Sequence, residues 1–234
     1  MFAFSCVMKI LSIPARAKTS VKLTKSALAE LPKQRLAVLT TAQHIHKIKD
    51  VAEQIETDYF GQVLGCNVLN AIGFSKFVDA FLFVGSGLFH PIYIAYKTEK
   101  PVFIWNPFNK KLSKLPESDV VKFRKRRKGA LLNFYDAKTI GIIVSLKPGQ
   151  KNLSLARDFE KQTKKDAYLF ISETLDLSDL DNFPFIDCWV NTACPRLADD
   201  RRMVNIDELI EAGVFKPKVV VEKPIWTDKK GLES

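Results

Sequence analysis

The sequence predicts an α/β fold made of two similar parallel-sheet domains with flanking helices. Three observations carry that prediction. Short, fully apolar runs alternate with segments whose apolar residues recur every three or four positions. The runs lack the in–out alternation of a sheet with one wet face, so helices must cover both faces of each sheet. A polar stretch with two prolines, "NPFNKKLSKLPES", divides two halves of the same plan near Pro107–Pro116.

Taken in order, "RLAVLT" (35–40) is a short strand rich in β-formers. "AQHIHKIKDVAEQIE" follows as a helix, because Ile45, Ile48, Val51 and Ile55 are spaced for one face. "VDAFLFVG" is a strand ending at Gly85, and "PVFIW" (101–105) is another. A basic helix over 119–137 carries "KFRKRRKGALLNF". The second half then reads "TIGIIVSL" as strand, "SLARDFEKQTKK" as helix, and "DAYLFIS" and "IDCWVN" as strands. "IDELIEAG" is a helix closed by Gly213, and "KVVVE" ends the pattern. The expected division is a domain over 31–116, a basic linking helix over 117–138, a domain over 139–226 and a tail over 227–234.

Composition bounds the partners. A chain of 234 residues, 47% hydrophobic and 26% charged, buries a sizeable core. A net charge of +10 and a pI near 9.4 suit an anionic partner such as RNA, a nucleotide or an acidic protein. Four cysteines, Cys6, Cys66, Cys188 and Cys194, do not make a disulfide scaffold, and reduced thiols in the cytoplasm are expected. The most apolar stretch, "VDAFLFVGSGLFHPIYIAY", contains Asp79, His90, Pro91 and two glycines, so no membrane span is expected. "MFAFSCVMKILSIPARA" lacks the positive start of a signal peptide and reads as a buried strand.

Ligands gather at the carboxyl ends of strands in open parallel sheets. "GSGLFHP", "KPGQ" and "NTACPR" fall there, each pairing small residues with a polar group. Any one alone is an ordinary strand-to-helix turn. "GSG" is no dinucleotide fingerprint, since His90 stands where the third glycine would be, and "KPGQ" is no phosphate-cradling P-loop. Cys188 alternates with Val190 on one strand face and reads as core. Cys194 lies past the strand end, ahead of Pro195, where a helix start favours a thiolate. Cys66 sits in the glycine turn "GQVLGCN". Neither has a C-x-x-C neighbour, so spacing alone signals neither zinc nor iron–sulfur. His44 and His46 are two apart and point to different sides of their helix. His90 suits either a ligand contact or a turn carbonyl. "KFRKRRK" is a solvated helix face or, more sharply, a contact for RNA or an acidic protein.

With "TTAQH", "GQVLGCN", "VDAFLFVGSGLFHP", "KPGQ" and "VNTACPRLADD" present in that order, the chain resembles the diphthamide-synthesis family in its archaeal type, from about residue 10 to about residue 224. The resemblance implies domains of similar plan, each giving one cysteine to a [4Fe-4S] cluster at their junction. Cys66 and Cys194 would be the ligands of the second and third domains, with glycines letting backbone approach the cluster. It implies that S-adenosylmethionine binds the open iron, and that Gly85, Ser86, His90, Lys147, Gln150 and Arg196 line its site. Lys147 or Arg196 would pair with its carboxylate. The implied reaction moves the 3-amino-3-carboxypropyl group to a histidine of translation elongation factor 2 by radical chemistry.

The resemblance departs at the start, where 1–30 matches only the last strand and exit of the family's first domain. Cys6 does not match the family's first cysteine motif. The expectation is a split or truncated enzyme, or a non-catalytic partner subunit. Expected partners are elongation factor 2, a first-domain polypeptide or a second copy, and an electron donor. Exposed apolar surface is expected beside the opening strand. Neither a membrane nor direct nucleic-acid binding is expected from the resemblance. The reading that sets it aside is a basic α/β protein binding RNA.

Overall fold

Five consecutive buried residues, Leu36–Thr40, form β1, and five more, Ala80–Val84, form β3. Burial on both faces is what a central parallel strand requires, and it explains the unbroken apolar runs. The computed structural model describes residues 13, 15–64, 67–147, 150–197 and 202–218. The contacts divide the chain into one unit ending at Glu117 and a second beginning at Ser118.

The first unit opens with α1 (Lys25–Glu30), capped by Thr24, whose hydroxyl accepts from the Ala27 amide. After β1, a 3-10 turn at Ile45–Lys47 leads into α2 (Ile48–Gln54). This is shorter than the single helix over 42–56 that periodicity suggests. His44 and Lys47 both adopt non-helical backbone angles and break it into two pieces. Then follow β2 (Phe60–Gln62), α3 (Leu69–Phe74), β3, α4 (Phe89–Thr98), β4 (Val102–Asn106) and β5 (Lys111–Lys114). The sheet order is β2-β1-β3-β4-β5, parallel except for β5. Part of the supposed linker is therefore a hairpin. β5 escapes sequence reading because it is a polar edge strand, flanked by Lys111 and Lys114, with no apolar run to betray it.

All but the first residue of α5 (Glu117–Asp136) belongs to the second unit. Arg127, Ala130 and Phe134 turn inward, and Ala130 and Phe134 join that unit's core, while Lys122, Arg124, Lys125, Arg126 and Lys128 face outward. The remaining elements are β6 (Thr139–Ser145), α6 (Leu153–Gln162), β7 (Asp166–Ser172), a 3-10 segment Leu177–Asn182, β8 (Cys188–Asn191), a 3-10 turn Pro195–Leu197, β9 (Met203–Asn205) and α7 (Ile206–Glu211). The sheet is wholly parallel, ordered β7-β6-β8-β9. The short β9 was not read from the sequence. "KVVVE" lies outside the described residues except for Lys218. The expectation of two mainly parallel sheets with flanking helices is met. Among the described residues no helix is long and apolar enough to cross a membrane.

Candidate functional site

In the second unit the chain steps outward from β6 to β7, then returns across β6 to β8. The loops after β6 and β8 therefore leave the sheet side by side at its carboxyl edge, the switch point where open α/β sheets bind ligands. "KPGQ" is the β6 loop and "NTACPR" the β8 loop. Hydrogen bonds tie them together. The Thr192 amide and hydroxyl both donate to the Ile143 carbonyl, at 3.1 and 2.7 Å. Asn152, just past the β6 loop, donates to the Thr192 carbonyl at 2.7 Å. Lys147 is exposed, with its amide donating to Ser145 Oγ at 3.1 Å, and Gln150 is half-buried. Pro148 and Gly149 lie outside the described residues.

Cys194 stands in the β8 loop, half-buried and outside any disulfide. Its carbonyl accepts from Asn191 Nδ2 at 2.8 Å and from the Leu197 amide at 2.9 Å. Arg196, in the same turn, is exposed. Cys188 is core, as expected: it is fully buried, and burial pushes its thiol up to about 12, which keeps it protonated and inert.

Sequence reading missed a buried polar network behind this loop. Asn191 Nδ2 donates to Asn205 Oδ1 at 2.7 Å, and Asn191 Oδ1 accepts from the Ala193 amide at 2.9 Å. Asn205 Nδ2 donates to Glu208 Oε1 at 3.0 Å and reaches the Pro195 carbonyl at 3.4 Å. Glu208 Oε1 lies 3.5 Å from Arg127 Nε, and Asp207 and Glu211 lie 3.8 and 3.5 Å from the same guanidinium. Only the asparagines in "IDCWVN" and "VNIDE", each at a strand end, hinted at it.

Burial pushes the Glu208 carboxyl up to about 7 from 4.5, while Arg127 pulls it down. Its Oε2 is buried with no hydrogen-bond partner among the described residues. The folded state holds a proton that the unfolded chain releases above 4.5, so stability falls as pH rises through that window. Between about pH 5 and pH 8 this group is expected to lower stability by up to ~3 kcal/mol. Glu208→Gln should flatten the slope in urea titrations, and an unchanged slope would refute the assignment.

In the first unit the switch point lies between β1 and β3. Thr40 bridges it: its buried hydroxyl donates to the Val84 carbonyl at 2.7 Å, and its own carbonyl accepts from Val63 at 2.8 Å. Gly85 follows β3 directly, and a Cβ there would sit 3.0 Å from the Phe83 ring. That ring stacks on half-buried His90 in the first turn of α4, with centroids 5.6 Å apart. Ser86 is exposed, and Gly87 adopts φ 83°, a left-handed conformation that favours glycine. Gly61 is not in a turn. It pairs with Leu39 within β2, and its missing side chain makes room for Asn70, whose amide donates to the Gln62 carbonyl at 2.7 Å. Leu64 and Asn67 exchange backbone hydrogen bonds, while Gly65 and Cys66 lie outside the described residues, as does Cys6.

His44 and His46 do diverge: His46 is exposed and His44 fully buried. Both His44 ring nitrogens lack a hydrogen-bond partner among the described residues, and its ring lies 5.7 Å from Phe108. Burial lowers its pKa, helped by the charges of His46 and Lys47, so the imidazole is neutral. A buried polar group without a hydrogen-bond partner, as His44 is among the described residues, costs stability. His44→Leu is therefore expected to keep or raise the melting temperature, and a large drop would show a structural role.

The structure thus gathers Lys147, Gln150, Cys194 and Arg196 at one carboxyl edge, and Gly85, Ser86 and His90 at the other unit's. Among the described residues no group of three or more His, Cys, Asp or Glu is placed to hold a metal ion. Cys194 fits as a single soft donor: a half-buried, unbridged thiol at a switch point, with the backbone around it pinned.

A family model described as "Putative diphthamide synthesis protein" matches residues 4–203. The 2-(3-amino-3-carboxypropyl)histidine synthase of Pyrococcus horikoshii is 35% identical over 210 residues, covering 80% of this chain and 59% of that one. The enzyme of the same name from Methanocaldococcus jannaschii is 34% identical, over 84% of this chain and 51% of its own. The crystal structure of Dph2 from Pyrococcus horikoshii with a 4Fe-4S cluster superposes with a TM-score of 0.67 at 30% identity, over 86% of this chain and 64% of that one. The chain therefore spans between half and two-thirds of the length of these relatives.

Proposed function

Because the chain belongs to the diphthamide synthesis family, we propose that it takes part in the family's transfer of a 3-amino-3-carboxypropyl group from S-adenosylmethionine to a histidine of translation elongation factor 2. The observation that carries this reading is Cys194, an unbridged, half-buried thiol at the switch point of the second unit's sheet. The names of the two archaeal relatives and the cluster in the related structure support it.

In this reading Cys194 and Cys66 are thiolate donors to a [4Fe-4S] cluster. When bound, the cluster would lend one electron to the sulfonium, so that one carbon–sulfur bond breaks to leave a neutral thioether, and a proton and the electron would leave the imidazole as the new carbon–carbon bond forms. The protein's own residues bind and aim the substrate. Lys147 or Arg196, both exposed at the carboxyl edge, pairs with the S-adenosylmethionine carboxylate. Gln150 donates beside them, and in the first unit Gly85, Ser86 and His90 form the corresponding carboxyl-edge loop. Holding one carbon–sulfur bond in line is positioning catalysis.

Two measurements test this. The chain, mixed anaerobically with the portion of the Pyrococcus horikoshii relative that it does not span, should bind iron and move label from S-adenosylmethionine to elongation factor 2. No label, where the complete relative labels the same substrate, would refute the reading. Full labelling by a Cys66→Ala mixture would instead make the chain a non-catalytic partner. Separately, Lys147→Ala is expected to weaken S-adenosylmethionine binding by roughly tenfold, the worth of one charge-assisted contact. Unchanged affinity would remove Lys147 from the site.

A further inference from the structure

We propose that Asn191, Asn205, Glu208 and Arg127 form a positioning relay that fixes the thiol of Cys194 relative to the second sheet. The inference builds on the reading of Cys194 given above.

The geometry is specific to the loop. Asn191, the last residue of β8, is buried, and both donor and acceptor ends of its side chain are used. It donates to the Cys194 carbonyl and to Asn205 Oδ1, and it accepts from the Ala193 amide. Asn205, the last residue of β9, is likewise buried and spreads between Asn191, Glu208 and the Pro195 carbonyl. The carbonyls on Thr192, Cys194 and Pro195 are thus each held by a side chain from a different element: Asn152, Asn191 and Asn205. Glu208 on α7 orients the Asn205 amide, and Arg127 on α5 sits at 3.5 Å from Glu208 with both groups over nine-tenths buried. The relay therefore runs from α5 through α7 and the two strand ends to the thiol-bearing turn. A strand-to-helix turn that only closed a connection would not need this many buried amides, each costly to bury unless fully bonded. Side chains that orient a ligand-bearing loop do for a metal donor what outer-shell partners do elsewhere, setting where the donor atom points.

The two cysteines of the second unit supply the test. Alkylation of the chain without cluster is followed at Cys194 and Cys188 separately by peptide mass spectrometry. Cys188, fully buried in the core, reports opening of the whole unit, and Cys194 reports the loop. Asn205→Ala and Glu208→Ala are expected to raise the Cys194 rate by roughly tenfold while Cys188 stays silent. Glu208→Gln, which keeps an acceptor for the Asn205 amide, should stay within about twofold of the native rate. Cys194 rates unchanged in both alanine variants would overturn the relay. So would parallel acceleration of Cys188, since the residues would then support the unit generally. In the reconstituted mixture, Asn205→Ala should also alter the electron paramagnetic resonance spectrum of the reduced cluster. If Cys194→Ala leaves iron binding intact, the ligand reading fails, and the alkylation result still decides the relay.

Discussion

Alanine at position 194 is expected to leave the second unit folded and to abolish its share of iron binding. The Cys194 side chain is half-buried, while its loop is held by backbone and asparagine contacts that the substitution keeps. The stability loss should therefore stay under about 1 kcal/mol, typical of a site outside the packed core. Iron retained by the reconstituted mixture should fall at least ~tenfold and group transfer by roughly a thousandfold, because the described residues hold no alternative group of three or more His, Cys, Asp or Glu placed for a metal ion. Cys188→Ala is the matched control. It removes a fully buried sulfur from the core around Ile140, Val190 and Val204. It should cost about 1–2 kcal/mol of stability and leave iron untouched. Equal iron in the Cys194 variant and the native chain would end the proposed role of this thiol.

Gly141→Ala should produce the largest loss of stability. Gly141 sits in the middle of β6, opposite Tyr168 of β7 and Trp189 of β8. A Cβ there would lie 2.3 Å from Trp189 Cζ3 and 2.4 Å from Cε3. The indole has nowhere to retreat. It is 2% exposed and packed edge-on against Phe170 at 4.7 Å and Phe183 at 6.1 Å. Overpacking of this kind should cost ~3 kcal/mol or more, read from the midpoint of urea unfolding. Pairing it with Trp189→Leu should recover part of the loss, since the second change removes the atoms in conflict. A Gly141→Ala protein as stable as the native chain, or a double variant no better than the single ones added together, would contradict this packing.

Much of the architecture was legible because its signals are local. A fully apolar pentad such as 80–84 has to be a covered strand, and the inward positions of α2 recur at helical spacing. Legibility failed where the signal was polar or short. β5 is an edge strand of lysines, and β9 is three residues long. Gly61 looked like a turn glycine from its neighbours, yet it serves a strand by making room for Asn70. His44 does stand at a helix start, ahead of the 3-10 turn, but no local signal records that its ring is buried beside Phe108.

By itself the sequence determined the α/β class, the parallel character of both sheets and the family to which the chain belongs. It also marked the loops that leave the strands' carboxyl ends. Only the tertiary structure decided which loops are neighbours. Strand order β7-β6-β8-β9 sets "KPGQ" beside "NTACPR", and long-range pairing brings Arg127, Glu208, Asn205 and Asn191 into one buried chain behind Cys194. The reason is physical: apolar periodicity is written residue by residue along the chain. A buried polar contact is worth forming only where two distant segments meet, and no local pattern records that meeting.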